Sequence, residues 1–563
     1  MSKYRPLLLA IVISFVYFLI HLFIINDYGL SWDYHFHLYG GLHHLGLPVP
    51  KATDPPPVPF TPPDPRLTVE DPFGPIMSIV PVISQKLFFE KLNLLPFDSA
   101  YNLPSVIYGA LGIGLIFLFL SQAVGLPVAV IGSLFLALLP NYFGYLHNNM
   151  KDIPSAFAFA LSIYTFWRLV KKRRIRDLVF AVISFAFAFN IKINSIFIPV
   201  ICGAWYGVIR GIGKIREREW KMVVSYFILA PLAALAIWWP FWNDPLGKLL
   251  ELPRFYSLNT YNIPVLLFGN IFRSGINIPW YYPFVYIGIT TPLPILIAFL
   301  IGIFISVKAV LNPKSETRNP KQIQMTEIQK SKHFWLFKYL NLDIVSNFVL
   351  RASNFRAKRG FYLLALIWFF VPLLRYFSPK TSAIDGVRHF MEVVYPLSAI
   401  AGVGAFYVYK RLIRFKWGKI ITVLLSTVTS ITLVSNIIHY HPYQTSFYNL
   451  LIGGTAGAQG KFDIDFWGTP QREAMFWLNK NAPSGATIYI AMAQSSAAVY
   501  LRDDLRRNAN IKNMLESDYV VINNKQSFFT DQIASFIKQK TTEGKLVYLR
   551  EIDEVPLVWV FKS

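Results

Sequence analysis

Directly after the first apolar stretch of the chain stands Ser31-Trp32-Asp33-Tyr34-His35-Phe36-His37. Asp33 and His37 are four residues apart, so in a helix both project from one side. A carboxylate and an imidazole placed this way can take up a proton or hold a metal ion. A solvated acid beside an interfacial histidine is the plainer alternative. Lys151-Asp152 precedes Ile153-Pro154 at the mouth of another apolar stretch. Proline is tolerated in a first helical turn, and Asp152 could simply cap that helix. Lys192 interrupts an apolar segment, where its ammonium would either meet an anion or snorkel to the headgroups. Arg388 and His389 end the run Asp385-Gly386-Val387-Arg388-His389. The planar fork of Arg388 suits a phosphate or carboxylate, or serves as an interfacial anchor. Acids (Asp33, Asp152) and cations (Lys151, Lys192, Arg388) together suit a substrate that carries a phosphate.

The elements that must position these residues follow from composition. The 563 residues are 54% hydrophobic, 16% aromatic and only 15% charged. A soluble domain carries about 25% charged residues, so the chain reads as a polytopic α-helical membrane protein. Apolar segments near 6–25, 103–122, 125–143, 154–170, 178–190, 194–209, 222–239, 290–311, 361–377, 392–409 and 419–438 predict about 11 transmembrane helices. The first, preceded by Lys3 and Arg5, reads as a retained anchor with its N-terminus in the cytoplasm. The net charge of +23 arises largely from clusters at 171–176, 210–221, 308–359 and 410–419. An N-in/C-out arrangement puts all four clusters on the cytoplasmic side, as the positive-inside rule requires. Basic residues between spans point to anionic lipid and away from nucleic acid. The single cysteine, Cys202, excludes an intrachain disulfide and cysteine-rich metal sites.

This topology places loops 27–102, 147–153, 240–289 and 378–391, and everything after 438, on the outer face. Eleven prolines from Pro48 to Pro75 exclude a regular helix there. Glu70 and Asp71 close that run. Trp238-Trp239-Pro240-Phe241-Trp242 and Pro279-Trp280-Tyr281-Tyr282-Pro283 read as an aromatic belt. Residues 1–438 thus form a transmembrane domain with external loops, and 439–563 an extracytoplasmic domain. Runs at 486–492, 519–522 and 557–561 read as strands and 470–479 and 530–538 as helices, predicting a small C-terminal α/β domain. No internal repeat is present.

The motifs resemble those of GT-C superfamily glycosyltransferases, in particular bacterial relatives of the protein O-mannosyltransferases and lipid A aminoarabinose transferases. Their acidic first-loop motif is similar to Trp32-Asp33-Tyr34-His35-Phe36-His37, with Tyr34 where a Glu is usual. Asn149-Met150-Lys151-Asp152-Ile153-Pro154 and Gly386-Val387-Arg388-His389 match two further motifs. In the tail, His441-Pro442-Tyr443, Tyr448-Asn449, Gly453-Gly454 and Asp465-Phe466-Trp467-Gly468 follow in the family's order. The resemblance covers roughly residues 1–480. It implies an inverting transfer of a sugar from a polyprenyl-phosphate donor to an acceptor at the outer surface of a bacterial plasma membrane. Asp33 and Asp152 would be catalytic; His37, Lys151, Lys192, Arg388 and His389 would bind substrate. No cofactor is certain. Asp33, His37 and Asp152 could share a divalent cation, with His37 admitting zinc or manganese. The implied partners are the lipid-linked donor, membrane lipids and an acceptor of unspecified class. The alternatives are a multi-span lipid or glycan transporter, which usually shows repeated halves and midplane polar residues, and a glycan-binding protein with a decayed active site.

Overall fold

The computed structural model describes residues 5–50, 74–148, 150–211, 217–258, 260–311 and 355–563. Most of the proline-rich run, Glu70, Asp71, Asn149 and most of the basic insert 308–359 lie outside the described residues. Every apolar segment expected to span is helical. By length and composition, nine helices among the described residues can cross a bilayer: Arg5–Phe23, Phe97–Ala123, Asp152–Lys172, Ile193–Gly211, Glu217–Ala236, Leu293–Leu311, Lys358–Phe377, Arg388–Leu412 and Gly418–His439. Leu126–Ala137 and Pro140–Asn148 meet at 58° and make a tenth if counted as one broken span. The remaining expected span, Ile175–Ile191, has 17 residues, the lower limit for crossing a hydrocarbon core; it runs from beside Asp177, paired with Arg168, back to Lys192, paired with Asp152. Against the about eleven spans expected, nine or ten helices among the described residues pass on length and composition alone. The chain is an integral membrane protein.

Its helices show which faces meet lipid. Gly418–His439 leaves Val423, Val428, Ile431 and Ile438 exposed, apolar surface that a water-soluble protein would cover. The closest helix pair meets through glycines instead. A Cβ on Gly302 would lie 2.0 Å from the carbonyl oxygen of Ile400, and one on Gly404 1.9 Å from that of Ala298. Only glycine lets Leu293–Leu311 and Val394–Leu412 approach so closely, the small-residue packing that replaces hydrophobic drive inside a membrane.

The helix Asp152–Lys172 fixes the axis of the molecule. Its 21 residues rise about 31 Å at 1.5 Å per residue, close to the thickness of a hydrocarbon core. Its basic end joins an ion-pair cluster: Arg168 to Asp177 at 3.1 Å, and Arg173 and Arg210 to Glu219 at 2.6 and 2.5 Å. These pairs gather the 171–176 and 210–221 clusters at one end of the bundle. The opposite end, where Asp152 lies, carries the chemistry-bearing residues.

That end is closed by the tail. After a two-stranded antiparallel hairpin, β1 (Pro264–Leu267) and β2 (Asn270–Arg273), the remaining strands are β3 (Ile488–Ile490), β4 (Tyr519–Asn523), β5 (Leu546–Ile552) and β6 (Val555–Lys562). They form one sheet in the order β3-β4-β6-β5, with β3 parallel to β4 and the other pairs antiparallel. Alternation along β4 sends Tyr519 and Val521 to the helix Gln471–Asn481, and Val520 and Ile522 to Asp531–Thr542. The α/β character expected for the tail is present, with the expected three strands joined by β5. Leu30, Tyr34, Tyr101 and Met150 share one core with Ala474, Ile488 and Val521, so tail and bundle pack directly.

Candidate functional site

Asp33 precedes the helix Tyr34–His44, whose first turn is tied by the His37 N–H to the Asp33 carbonyl at 3.2 Å. The Asp33 side chain retains 39% exposure, and its Oδ2 accepts a hydrogen bond from Arg388 Nη1 at 3.1 Å. An acid and a base 355 positions apart in sequence therefore meet. Arg388 reaches there from the turn Asp385-Gly386, where Asp385 (φ 55°) and Gly386 (φ 66°) both occupy left-handed backbone. Glycine adopts this region freely, and aspartate is among the few other residues that tolerate it. The guanidinium stacks over the Trp467 ring at 4.3 Å and lies 3.5 Å from Asp385 Oδ2. Trp467 is itself fixed: its carbonyl accepts the Trp32 N–H at 3.1 Å, and Asp465 Oδ2 caps the turn by accepting the Gly468 N–H at 2.7 Å. The tail motif Asp465-Phe466-Trp467-Gly468 thus serves as a turn that holds an aromatic floor under Arg388.

Asp152 is the first residue of its helix and makes no N-cap; the residue in that position is Lys151. The Asp152 carboxylate is buried and its Oδ1 pairs with Lys192 Nζ at 2.5 Å. Lys192 is delivered by the break that the sequence Asn190-Ile191-Lys192-Ile193-Asn194 imposes, where one helix stops and an extended residue intervenes. The flanking amides satisfy groups on neighbouring segments: Asn190 Oδ1 accepts the Ile76 N–H at 3.1 Å, and Asn194 Nδ2 donates to the His389 carbonyl at 3.0 Å. Lys192 is therefore an ion-pair partner here and no snorkelling anchor.

Lys151 Nζ donates to Ser78 Oγ at 3.3 Å. Burial, reinforced by Lys192 and opposed by Asp152 and Asp33, pushes its pKa down to about 7. His37 is held well below the usual histidine range by burial, then by Lys151, Arg388 and Lys192. It is a neutral imidazole at physiological pH. These mutual influences place Asp33, His37, Lys151, Asp152, Lys192 and Arg388 in one electrostatic cluster. His389 joins through its backbone, and its Nε2 is buried with no hydrogen-bond partner among the described residues.

The carboxylates and the imidazole do not gather as metal ligands. Among the described residues no group of three His, Cys, Asp or Glu side chains could hold a metal ion. Asp33 and Asp152 face different cations, so the expected set of Asp33, His37 and Asp152 does not fit a divalent ion. What the arrangement offers is a reachable carboxylate paired with Arg388, with the buried Lys151 amine and the Lys192 amine in the same cluster.

Three members of this site had no place among the expected site residues. Asp385 and Trp467 stood inside the quoted motifs, as a turn residue and an aromatic. Lys525 belongs to no motif, yet its Nζ pairs with Asp385 Oδ1 at 2.6 Å.

Residues 96–238 match the family model described as dolichyl-phosphate-mannose-protein mannosyltransferase. The matched stretch contains Lys151, Asp152 and Lys192 and agrees with the GT-C resemblance read from the motifs. No curated protein matches the chain. Among solved structures, the chain is similar to ArnT from Cupriavidus metallidurans bound to undecaprenyl phosphate, at 13% identity and a TM-score of 0.46 over 99% of this chain and 98% of that one. It is also similar to the apo oligosaccharyltransferase of Archaeoglobus fulgidus, at 14% identity and a TM-score of 0.45 over 93% and 70% of the two chains. A third is Archaeoglobus fulgidus AglB in complex with an inhibitory peptide and a dolichol-phosphate, at 16% identity and 0.43 over 96% and 69%.

Proposed function

We propose that this protein is an inverting glycosyltransferase that takes a sugar from a polyprenyl-phosphate donor at the extracytoplasmic membrane surface. The observation that carries the reading is one cluster in which the part-exposed Asp33 carboxylate is paired with Arg388 and lies near Lys151, with the Asp152–Lys192 pair beside them. Asp33 acts as general base and draws the proton from an acceptor hydroxyl or amine. The acceptor attacks the anomeric carbon from the face opposite the phosphate. The C–O bond to the lipid phosphate breaks, and the negative charge that collects on the leaving phosphate is met by Arg388, Lys151 and Lys192. Asp152 holds Lys192 in place, and neutral His37 and His389 offer hydrogen bonds to the sugar.

Beside Arg388 lies a small recess lined by Leu139, Asn141, Tyr142, Thr290, Val387 and Phe390. The match to a family described by a dolichyl-phosphate sugar points to the same donor class.

The proposal is tested with the purified protein in lipid. Undecaprenyl phosphate should raise its thermal midpoint, because a ligand that binds only the folded state stabilises it. The uncharged polyprenol should raise it less. Equal shifts would remove the phosphate from recognition.

Lys151 adds a pH signature. A pKa of about 7 means that its ammonium is lost as pH rises through neutrality. Affinity for undecaprenyl phosphate should therefore fall as pH rises above about 7, and level off once the pH passes the higher pKa of the phosphate-bound ammonium. In Lys151→Met that dependence should flatten. An unaltered profile in the variant would assign the titration elsewhere.

A further inference from the structure

Lys525 follows β4 and lies 140 residues from the carboxylate it pairs with. Its ammonium is buried, and a buried charge is tolerated only when it is paired. Asp385 Oδ1 at 2.6 Å, the Phe528 ring at 4.7 Å and the Trp32 ring at 5.0 Å contact it, and Asp463 and Asp465 lie within its electrostatic reach. These contacts straddle the Asp33–Arg388 pair. Trp32 is the residue before Asp33, and Asp385 is three residues before Arg388.

The tail fixes Lys525 through the segment that carries Trp467. Asp463 Oδ1 accepts the Ser527 N–H at 2.7 Å, and the Asp465 N–H donates to the Asn524 carbonyl at 3.2 Å. Asn523 Nδ2 donates to Asp465 Oδ2. The same few residues therefore set both the aromatic floor of Arg388 and the cation that faces Asp385.

Arg388 stands between two carboxylates, 3.1 Å from Asp33 and 3.5 Å from Asp385. Without a second cation, a buried Asp385 would compete for the guanidinium, since attraction between unit charges grows steeply at such separations in a poorly solvated site. We propose that Lys525 is a positioning residue: by neutralising Asp385 it leaves Arg388 on Asp33 and available to the leaving phosphate. The C-terminal domain would then take part in organising the site. This proposal rests on the transfer reading above only for its activity measurement.

The test compares full-length wild type, Lys525→Met, Lys525→Arg and Lys525→Met/Asp385→Asn in lipid, with a polyprenyl-phosphate sugar as donor. In Lys525→Met, Arg388 should swing towards Asp385 and kcat/KM for the donor should fall on the order of 100-fold, the usual effect of about 1 Å of misplacement. The double variant should recover at least about tenfold of this, because asparagine tolerates the left-handed backbone of position 385 and no longer captures Arg388. Lys525→Arg keeps the charge and should lose less than Lys525→Met. A cation needed only for folding would show no such rescue by Asp385→Asn. Wild-type activity in Lys525→Met, a double variant no better than the single one, or equal losses in Lys525→Arg and Lys525→Met would each overturn the proposal.

Should wild type turn over no donor, the transfer reading fails by itself. Amide hydrogen exchange across residues 385–391 then decides: faster exchange in Lys525→Met, restored by Asp385→Asn, supports the role, and unchanged exchange overturns it.

Discussion

Asp33→Asn should abolish sugar transfer while leaving the protein folded and able to bind lipid phosphate. Positioned general bases typically contribute about 10²–10⁴-fold in rate, and the loss is expected in that range. The substitution keeps an oxygen that can accept from Arg388 Nη1, whose bond to Asp33 Oδ2 is 3.1 Å, so the geometry is preserved while the base is removed. Partial exposure at the start of its helix argues against a large folding defect, since surface substitutions usually change stability by less than about 0.5 kcal/mol. Removing the negative charge that pairs with Arg388 should also leave undecaprenyl phosphate binding as tight as in wild type or tighter. The expected signature is a fall in kcat without a weaker donor. Loss of donor affinity in step with rate would mean that Asp33 acts only as a counter-ion.

Arg388→Ala should show the opposite division. The guanidinium would carry charge stabilisation of the leaving phosphate, and removing one preorganised donor of this kind costs on the order of 10²–10³ in rate. Donor use should weaken strongly and acceptor KM little. The fold should survive, because Asp385 keeps Lys525 at 2.6 Å and Asp33 remains partly solvated. Arg388→Lys should rescue poorly: an ammonium has neither the planar stack on Trp467 nor the fork that can serve Asp33 and a phosphate together. Unchanged donor affinity in Arg388→Ala would count against a phosphate role.

The apolar framework was legible because hydrophobic length reports directly on helices in a bilayer. Every expected segment is helical; Ile175–Ile191 is short and the 125–143 span is broken at the Leu138-Leu139 junction. Legibility failed where an interaction crosses long separations. Nothing in the sequence ties Lys525 to Asp385, since neither residue type nor spacing encodes a contact over 140 positions. Asp152 was equally consistent with a cap, and only the position of Lys192 decides for an ion pair. β5 carries no clear apolar run: it is an edge strand that mixes Tyr548, Arg550 and Glu551 among its apolar residues, the composition that blunts an edge against aggregation. The proposed metal set of Asp33, His37 and Asp152 looked plausible by residue type. It did not form, because each carboxylate already faces a cation.

The central claim is that a lipid-linked phosphate leaves when an acceptor, or water, attacks its sugar beside Asp33. The most direct measurement incubates wild type and Asp33→Asn in lipid with radiolabelled polyprenyl-phosphate sugars and follows release of the polyprenyl phosphate. Release by wild type from at least one donor, lost in Asp33→Asn, is the predicted result. No release from any donor in the panel, or equal release by both proteins, would contradict the account.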